Sequence, residues 1–302
     1  MTHPFESLAG NRAVLDHLRS QLESGRLPHA HLFVGEAGLG KTTAARALAA
    51  ALLPEAPLRR HPDYWEDDRA EPLSIHEIRL LPDKQPEFHE QSLQAFLSRT
   101  PAVARRRVAV ISNIGRLRDQ VQGILLKTLE EPHPGRFLIL TTPSISPFVV
   151  LPTVVSRCQR SAFLPVPPAE IEALLLREGV DTERAKLLAG LARGRPGWAL
   201  RAAQDPELIE RHRAAVDALE AVVGAPADVA LRLAAQLDSP AAAAEALSSW
   251  QLRLRDLMLE GGSRAQRWAA LLERSFDALG HLEQNVSARL TLEVFLLECT
   301  RA

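Results

Sequence analysis

The chain has 302 residues, room for two or three domains, and its 46% hydrophobic and 24% charged residues are the balance of a soluble globular protein. A net charge of -1 argues against a surface that grips nucleic acid all over and leaves room for a local basic face. Two cysteines, Cys158 and Cys299, are too few for a Cys₄ zinc site or a disulfide framework and fit a reducing, cytoplasmic setting.

The first residues, MTHPFESLAG, lack the basic and apolar regions of a signal peptide, and no apolar run reaches the length of a membrane span. Leu8, Val14, Leu15, Leu18 and Leu22 recur at helical spacing, so residues 5–26 read as a helix ending near Gly25. Pro28 punctuates, and Leu32-Phe33-Val34 suits a buried strand. Gly35-Glu36-Ala37-Gly38-Leu39-Gly40-Lys41-Thr42 then fits G-x-x-x-x-G-K-[ST], and Ala44, Ala45, Ala47, Leu48 and Leu52 suit a helix packed on a sheet. That strand–loop–helix context is what a P-loop requires. Gly35, Gly38 and Gly40 let the backbone turn and aim its N–H groups at phosphate oxygens. The helix start at Lys41-Thr42-Thr43 adds partial positive charge. Lys41 is expected to reach the β/γ-phosphates, and Thr42 to ligate Mg²⁺.

The P-loop helix ends before Pro54 and Pro57. Residues 58–73 are polar, with a strand expected near Tyr64 inside His61-Pro62-Asp63-Tyr64-Trp65. Asp63, Glu66, Asp67 and Asp68 read as a solvated acidic loop. Residues 74–85 look like a short helix with Ile75, Ile78 and Leu81 inward. Arg105-Arg106-Arg107 lead into Val108-Ala109-Val110-Ile111, an unbroken apolar run suited to a central parallel strand. An amphipathic helix over residues 116–131 carries Leu117, Val121, Ile124, Leu125 and Leu129, and Pro132 stops it. Phe137–Leu140 is the next buried strand, ending in Thr141-Thr142. A loop with Pro143, Pro147 and Pro152 leads to Ser156-Arg157-Cys158 and a last strand at 161–164. Strand–helix alternation up to residue 164 predicts a parallel α/β domain with helices on both faces. After the linker Pro165-Val166-Pro167-Pro168 every segment reads as helix. Asp205-Pro206 and Ser239-Pro240 mark starts, while Gly194, Gly224 and Gly261-Gly262 mark stops.

A hydrolysing P-loop enzyme needs a carboxylate at a neighbouring strand tip to hold Mg²⁺ and polarise water. The strand in the right place is followed by Ser112 and Asn113, neither of which can act as a general base. Glu130 and Glu131 lie about 20 Å away along the following helix, and Asp119 is expected to face solvent. The phosphate cradle is present and the hydrolytic acid is missing.

Taken with LLKTLEEP, SRC, HPDYW and GRPGWAL, these features resemble the AAA+ clamp-loader subunits, most closely the δ′ type of bacterial DNA polymerase III. The resemblance implies an AAA+ nucleotide-binding domain over residues 1–164, a small helical lid over 165–206 and an all-α collar over 207–302. It implies that Arg157 is an arginine finger offered in trans to ATP on a neighbouring subunit, a role that suits a permanently charged, forked guanidinium. Thr142 falls at the sensor-1 position. Gly197 falls where ATPase relatives carry the sensor-2 arginine, with Arg195 expected to point elsewhere on the helix. The zinc module of many relatives is absent because no cysteines lie between Leu53 and His61. The implied protein is not itself an ATPase. ATP is bound without hydrolysis, Mg²⁺ is left open, and no zinc or other structural metal is expected. Its implied partners are the loader's ATPase subunits and a δ-type subunit in a hetero-oligomeric ring, with the sliding clamp and primer–template DNA reached through the complex. Two alternatives stay open, an ATP-hydrolysing motor subunit and a P-loop nucleotide kinase. Arg105–Arg107, Arg116 and Arg118 are either a phosphate-tracking surface or solvated ends. Trp250 and Trp268 suit an interface or an ordinary core.

Overall fold

The computed structural model describes residues 4–69, 71–79, 81, 85–283 and 286–301. The chain forms two compact units, the first running to Leu200 and the second starting at Arg201.

In the first unit, α1 (Arg12–Glu23) precedes β1 (Ala30–Val34), and α2 (Lys41–Leu52) follows the glycine loop. Next come β2 (Tyr64–Asp67), α3 (Ile75–Ile78), α4 (Leu93–Ser98), β3 (Arg107–Ile111), α5 (Asp119–Glu130), β4 (Arg136–Thr142), α6 (Pro152–Val155) and β5 (Gln159–Ala162). The five strands form one sheet in the order β2-β3-β4-β1-β5, with every pair parallel. Side chains alternate across a strand, so neighbouring residues enter different cores. Leu32, Ile111 and Leu140 pack on the face covered by α5, whereas Phe33, Val110 and Ile139 pack on the face covered by α1 and α2. Both faces are apolar, which is why β3 is buried along its whole length. Past β5 the chain continues as three helices, α7 (Pro168–Arg177), α8 (Thr182–Leu191) and α9 (Pro196–Gln204).

Several segments differ from the sequence-based expectation. The predicted helix over 74–85 is limited to α3, and Ile75 is exposed rather than inward, because Arg79 takes an extended conformation and ends the turn. Residues 80 and 82–84 of that stretch lie outside the described residues. The helix predicted from Arg116 starts at Asp119, after a 3₁₀ turn over Ile114–Arg116 entered through Asn113 at φ +52°. Leu117 is buried ahead of the helix and Ile124 is only half-buried within it.

The second unit holds α10 (Glu207–Val222), α11 (Ala227–Gln236), α12 (Pro240–Glu260), α13 (Ala265–Glu283) and α14 (Ala288–Cys299). Trp250 and Trp268 lie in its core, with Trp250 stacked on Phe295 and its Nε1 donating to Ala215 O at 2.7 Å. Ser239 caps α12 by accepting from Ala242 N, as the Ser-Pro start predicts. Among the described residues no helix is long and apolar enough to cross a membrane.

Candidate functional site

β1 delivers the chain to the glycine loop at the C-terminal edge of the sheet, the edge where parallel α/β proteins place ligands. Gly35 (φ +150°), Gly38 (φ +85°) and Gly40 (φ +89°) all adopt positive φ. A Cβ on Gly35 would sit 2.5 Å from Phe163 O, so this turn admits no side chain. Gly35 N donates to Thr142 O at 3.1 Å, which ties the loop to the tip of β4. Lys41 is buried, and its Nζ donates to Gly35 O at 2.5 Å and Glu36 O at 2.7 Å. A phosphate entering the cradle would take over that ammonium. Thr42 Oγ1 lies 3.2 Å from Ser112 Oγ at the tip of β3. Thr142 is buried, and its hydroxyl donates to Ser144 O at 2.7 Å. Thr43 is exposed on the first turn of α2. The predicted cradle residues other than Thr43 therefore converge on one strand edge.

The start of α9 reaches that edge. Gly197 N donates to Gly38 O at 2.8 Å. A Cβ on Gly197 would stand 3.1 Å from the same carbonyl, so Gly197 and Gly38 meet backbone to backbone. Arg195 does not point elsewhere on a helix, as the sequence suggested. It precedes α9, is buried, and its Cβ lies 3.3 Å from where a Gly38 Cβ would be. Three-dimensional closure brings it to the loop, and spacing along the chain gives no sign of that.

The acidic segment also corrects the sequence reading. Asp63 and Asp67 are buried, and the segment is strand and strand edge rather than solvated loop. Asp67 pairs with Arg116 and Arg69, and Glu66 and Asp68 hold Arg46 of α2. Asp63 accepts from the backbone N–H groups of Ala102 (2.6 Å), Val103 (2.8 Å) and Ala104 (2.9 Å) and lies 3.4 Å from Arg107. Arg107 and Arg116 are therefore buried counter-ions and not parts of a phosphate-tracking surface, while Arg105, Arg106 and Arg118 are exposed. Asp67, read from the sequence as part of a solvated loop, is instead a buried carboxylate on the strand beside β3, and its carbonyl accepts from Ser112 N at 2.8 Å. The available signal was alternation in Tyr64-Trp65-Glu66-Asp67, which puts Asp67 on the same face as buried Trp65.

Arg157 follows α6. Its guanidinium donates to Thr153 O at 2.9 Å and meets Glu130 Oε1 at 2.5 Å, and its side chain is 34% exposed. Among the described residues no hydrogen bond or ion pair joins it to the chain's own P-loop. Beside it, burial pushes the Cys158 thiol up to about 12, so it is no nucleophile at neutral pH.

Residues 10–167, just over half of the chain and the whole of this strand edge, match the family described as DNA polymerase III, delta subunit. The chain belongs to that family. A δ′ subunit of Bacillus subtilis is 30% identical over 193 residues, covering 59% of this chain and 55% of the relative. A δ′ subunit of Pseudomonas aeruginosa is 31% identical over 195 residues, covering 58% and 55%. A gamma/tau subunit of Mycobacterium tuberculosis is 31% identical over 205 residues, covering 60% and 33%. The chain spans about half the length of the δ′ relatives it matches. Among solved structures, a DNA polymerase III gamma subunit-related protein of Thermotoga maritima aligns at a TM-score of 0.48 with 18% identity, over 95% of this chain and 99% of that one. The RuvB branch-migration motor of the same organism aligns at 0.45 and 19%, over 70% and 64%. Within the delta-subunit family match lie the P-loop, Ser112, Thr142 and Arg157.

Proposed function

We propose that this member of the polymerase III delta-subunit family is a clamp-loader subunit that holds nucleotide without hydrolysing it and donates Arg157 in trans. The observation that carries the first half is the pair Thr42–Ser112. The residue opposite the P-loop threonine is a hydroxyl, 3.2 Å away, where hydrolysis calls for a carboxylate. Asp67 is the one observation favouring the motor-subunit alternative, being a buried carboxylate one strand over. Arg116 and Arg69 already claim its oxygens, which leaves it poorly suited as a base.

Supporting the second half, Arg157 stands half-exposed at the surface, and its Glu130 partner is 49% exposed. An exposed pair is weak and easily exchanged, so the guanidinium can leave Glu130 for a partner's phosphates at little cost. In this reading Thr42 would ligate Mg²⁺ where a nucleotide brings it, Gly194–Trp198 belong to the lid, and residues from 207 form the collar. The partners are ATPase subunits and a δ-type subunit in a ring, acting on a sliding clamp and primed DNA. The deciding experiment is steady-state ATP turnover. The purified chain is expected to match a buffer blank. In the reconstituted loader, Arg157→Ala is expected to lower the partner's turnover at least about tenfold, since an arginine finger contributes up to ~10³–10⁵. Turnover by the chain alone that disappears in Asp67→Asn would move the motor-subunit reading to the front.

A further inference from the structure

The loop between β4 and α6 presents an aromatic ring to solvent. Phe148 is 71% exposed, more than any other large hydrophobic side chain among the described residues, and Ile145 in the same loop is 41% exposed. Single exposed apolar side chains are ordinary on protein surfaces, so exposure by itself assigns nothing. Two further observations do.

The first is that the loop is held rigidly. The Thr142 hydroxyl donates to Ser144 O at 2.7 Å, and Ser144 Oγ accepts from Ser146 N at 3.0 Å. Ser146 Oγ then accepts from Phe148 N at 3.4 Å, and Ser146 O accepts from Val149 N at 2.8 Å and Val150 N at 2.9 Å. Beyond Phe148, buried Gln122 of α5 donates to Val149 O at 3.0 Å and accepts from Leu151 N at 2.9 Å. Val149 and Val150 are buried in the core on the α5 face of the sheet. Serine turns before the ring and a buried glutamine after it thus fix the backbone on both sides. An aromatic side chain on a backbone already ordered loses little entropy when a partner covers it, which is the property of an interface anchor.

The second is continuity with the Arg157 segment. Ile145 and Pro147 of the loop share a groove of about 480 Å³ with Val155, Ser156, Cys158 and Arg160. Arg157 and the exposed Arg160 make this face basic as well as apolar. A second copy meeting it about a two-fold axis would set these cations against themselves. A nucleic acid would use the arginines and leave Phe148 and Ile145 in water. A protein surface with an apolar pocket rimmed by carboxylates would satisfy both kinds of group.

We propose that Phe148, flanked by Ile145, anchors this chain to the ATPase subunit that receives Arg157, by entering an apolar pocket with an acidic rim. The assignment of that partner rests on Arg157 acting in trans. In this division of labour the loop supplies affinity and Arg157 supplies turnover.

The test reads both quantities. The full chain is titrated against the gamma/tau-type ATPase subunit of its own organism with adenosine thiotriphosphate present, and partner turnover with ATP is then followed against chain concentration. Phe148→Ser is expected to bind at least about tenfold more weakly, as truncated aromatic anchors do, and Arg160→Glu about fivefold. The turnover curve of Phe148→Ser should move to higher chain concentration by the same factor, whereas Arg157→Ala should lower its maximum. Unchanged thermal unfolding of Phe148→Ser shows that the effect belongs to the surface. Affinity unchanged in Phe148→Ser overturns the anchor, whatever Arg157→Ala does. Weaker binding of Phe148→Ser together with turnover indifferent to Arg157→Ala supports the anchor and removes only the finger. Self-association of the chain alone that Phe148→Ser abolishes assigns the loop to a second copy and overturns the docking.

Discussion

Asp63 shows how much a single buried group can carry. Burial by itself would raise its pKa, but three backbone N–H groups and the Arg107 guanidinium outweigh that and hold the carboxyl below the usual range. A carboxylate whose folded pKa is depressed stabilises the fold above its unfolded pKa of about 3.9, and that contribution disappears as pH falls through the folded value. Asp63→Asn is expected to cost about 3 kcal/mol at pH 7, because it strands Arg107 and loosens the turn at Ala102–Ala104. The gap between wild type and variant should close as pH is lowered below about 4. Urea unfolding at a series of pH values measures it, and a gap that stays constant with pH would mean the carboxylate is not ionised in the folded protein. His31 contrasts with this. Burial lowers it to about 4, so it stays a neutral core residue through the same range except at its acid end.

At the scale of elements, the joint between the α9 start and the glycine loop is the feature with a direct structural test. Gly38→Ala would place a methyl in a left-handed conformation and crowd Arg195 Cβ (3.3 Å) and Trp198 N (3.4 Å). Gly25→Ala shares the positive φ but meets nothing within 4 Å. Backbone strain alone costs about 1–2 kcal/mol, or roughly 2–4 °C per kcal/mol in a unit of this size. Both variants are expected to lose that much in thermal unfolding, and Gly38→Ala several degrees more, the excess reporting the contact with Arg195 and Trp198. Equal losses would show that the start of α9 does not bear on the loop. The elements themselves were largely legible beforehand. Val108–Ile111 and Phe137–Leu140 are apolar runs that only a doubly covered strand explains, and the glycine spacing located the cradle. What stayed illegible depends on partners distant in sequence. Asp67 read as solvated because nothing in its neighbourhood announces Arg116, 49 residues on. Arg195 was misplaced because the contact with Gly38 spans 157 residues and lies outside any periodicity. Local pattern encodes burial of an element, whereas the identity of a charge's partner is set by topology.

For the molecule as a whole, nucleotide occupancy is the property on which the proposed function turns. The cradle is formed: Lys41 is drawn in by two loop carbonyls, Gly35 and Glu36, and the helix start faces the same edge. Binding that exchanges those carbonyls for phosphate oxygens would stabilise the folded state by mass action, about 2.7 kcal/mol at a hundredfold excess over Kd. Hydrogen exchange at millimolar ATP is expected to show protection gained in peptides covering residues 35–48 and 194–200, which share the Gly38–Gly197 joint. Peptides from the helical unit, whose core of Trp250, Leu247 and Phe295 is its own, should exchange as before. Lys41→Ala should abolish the gain, while exchange without nucleotide should rise only in the glycine loop that its ammonium ties together. Protection that never appears in wild type would make the loop an empty structural turn. Protection confined to residues 35–48 would mean that nucleotide enters without engaging the start of α9.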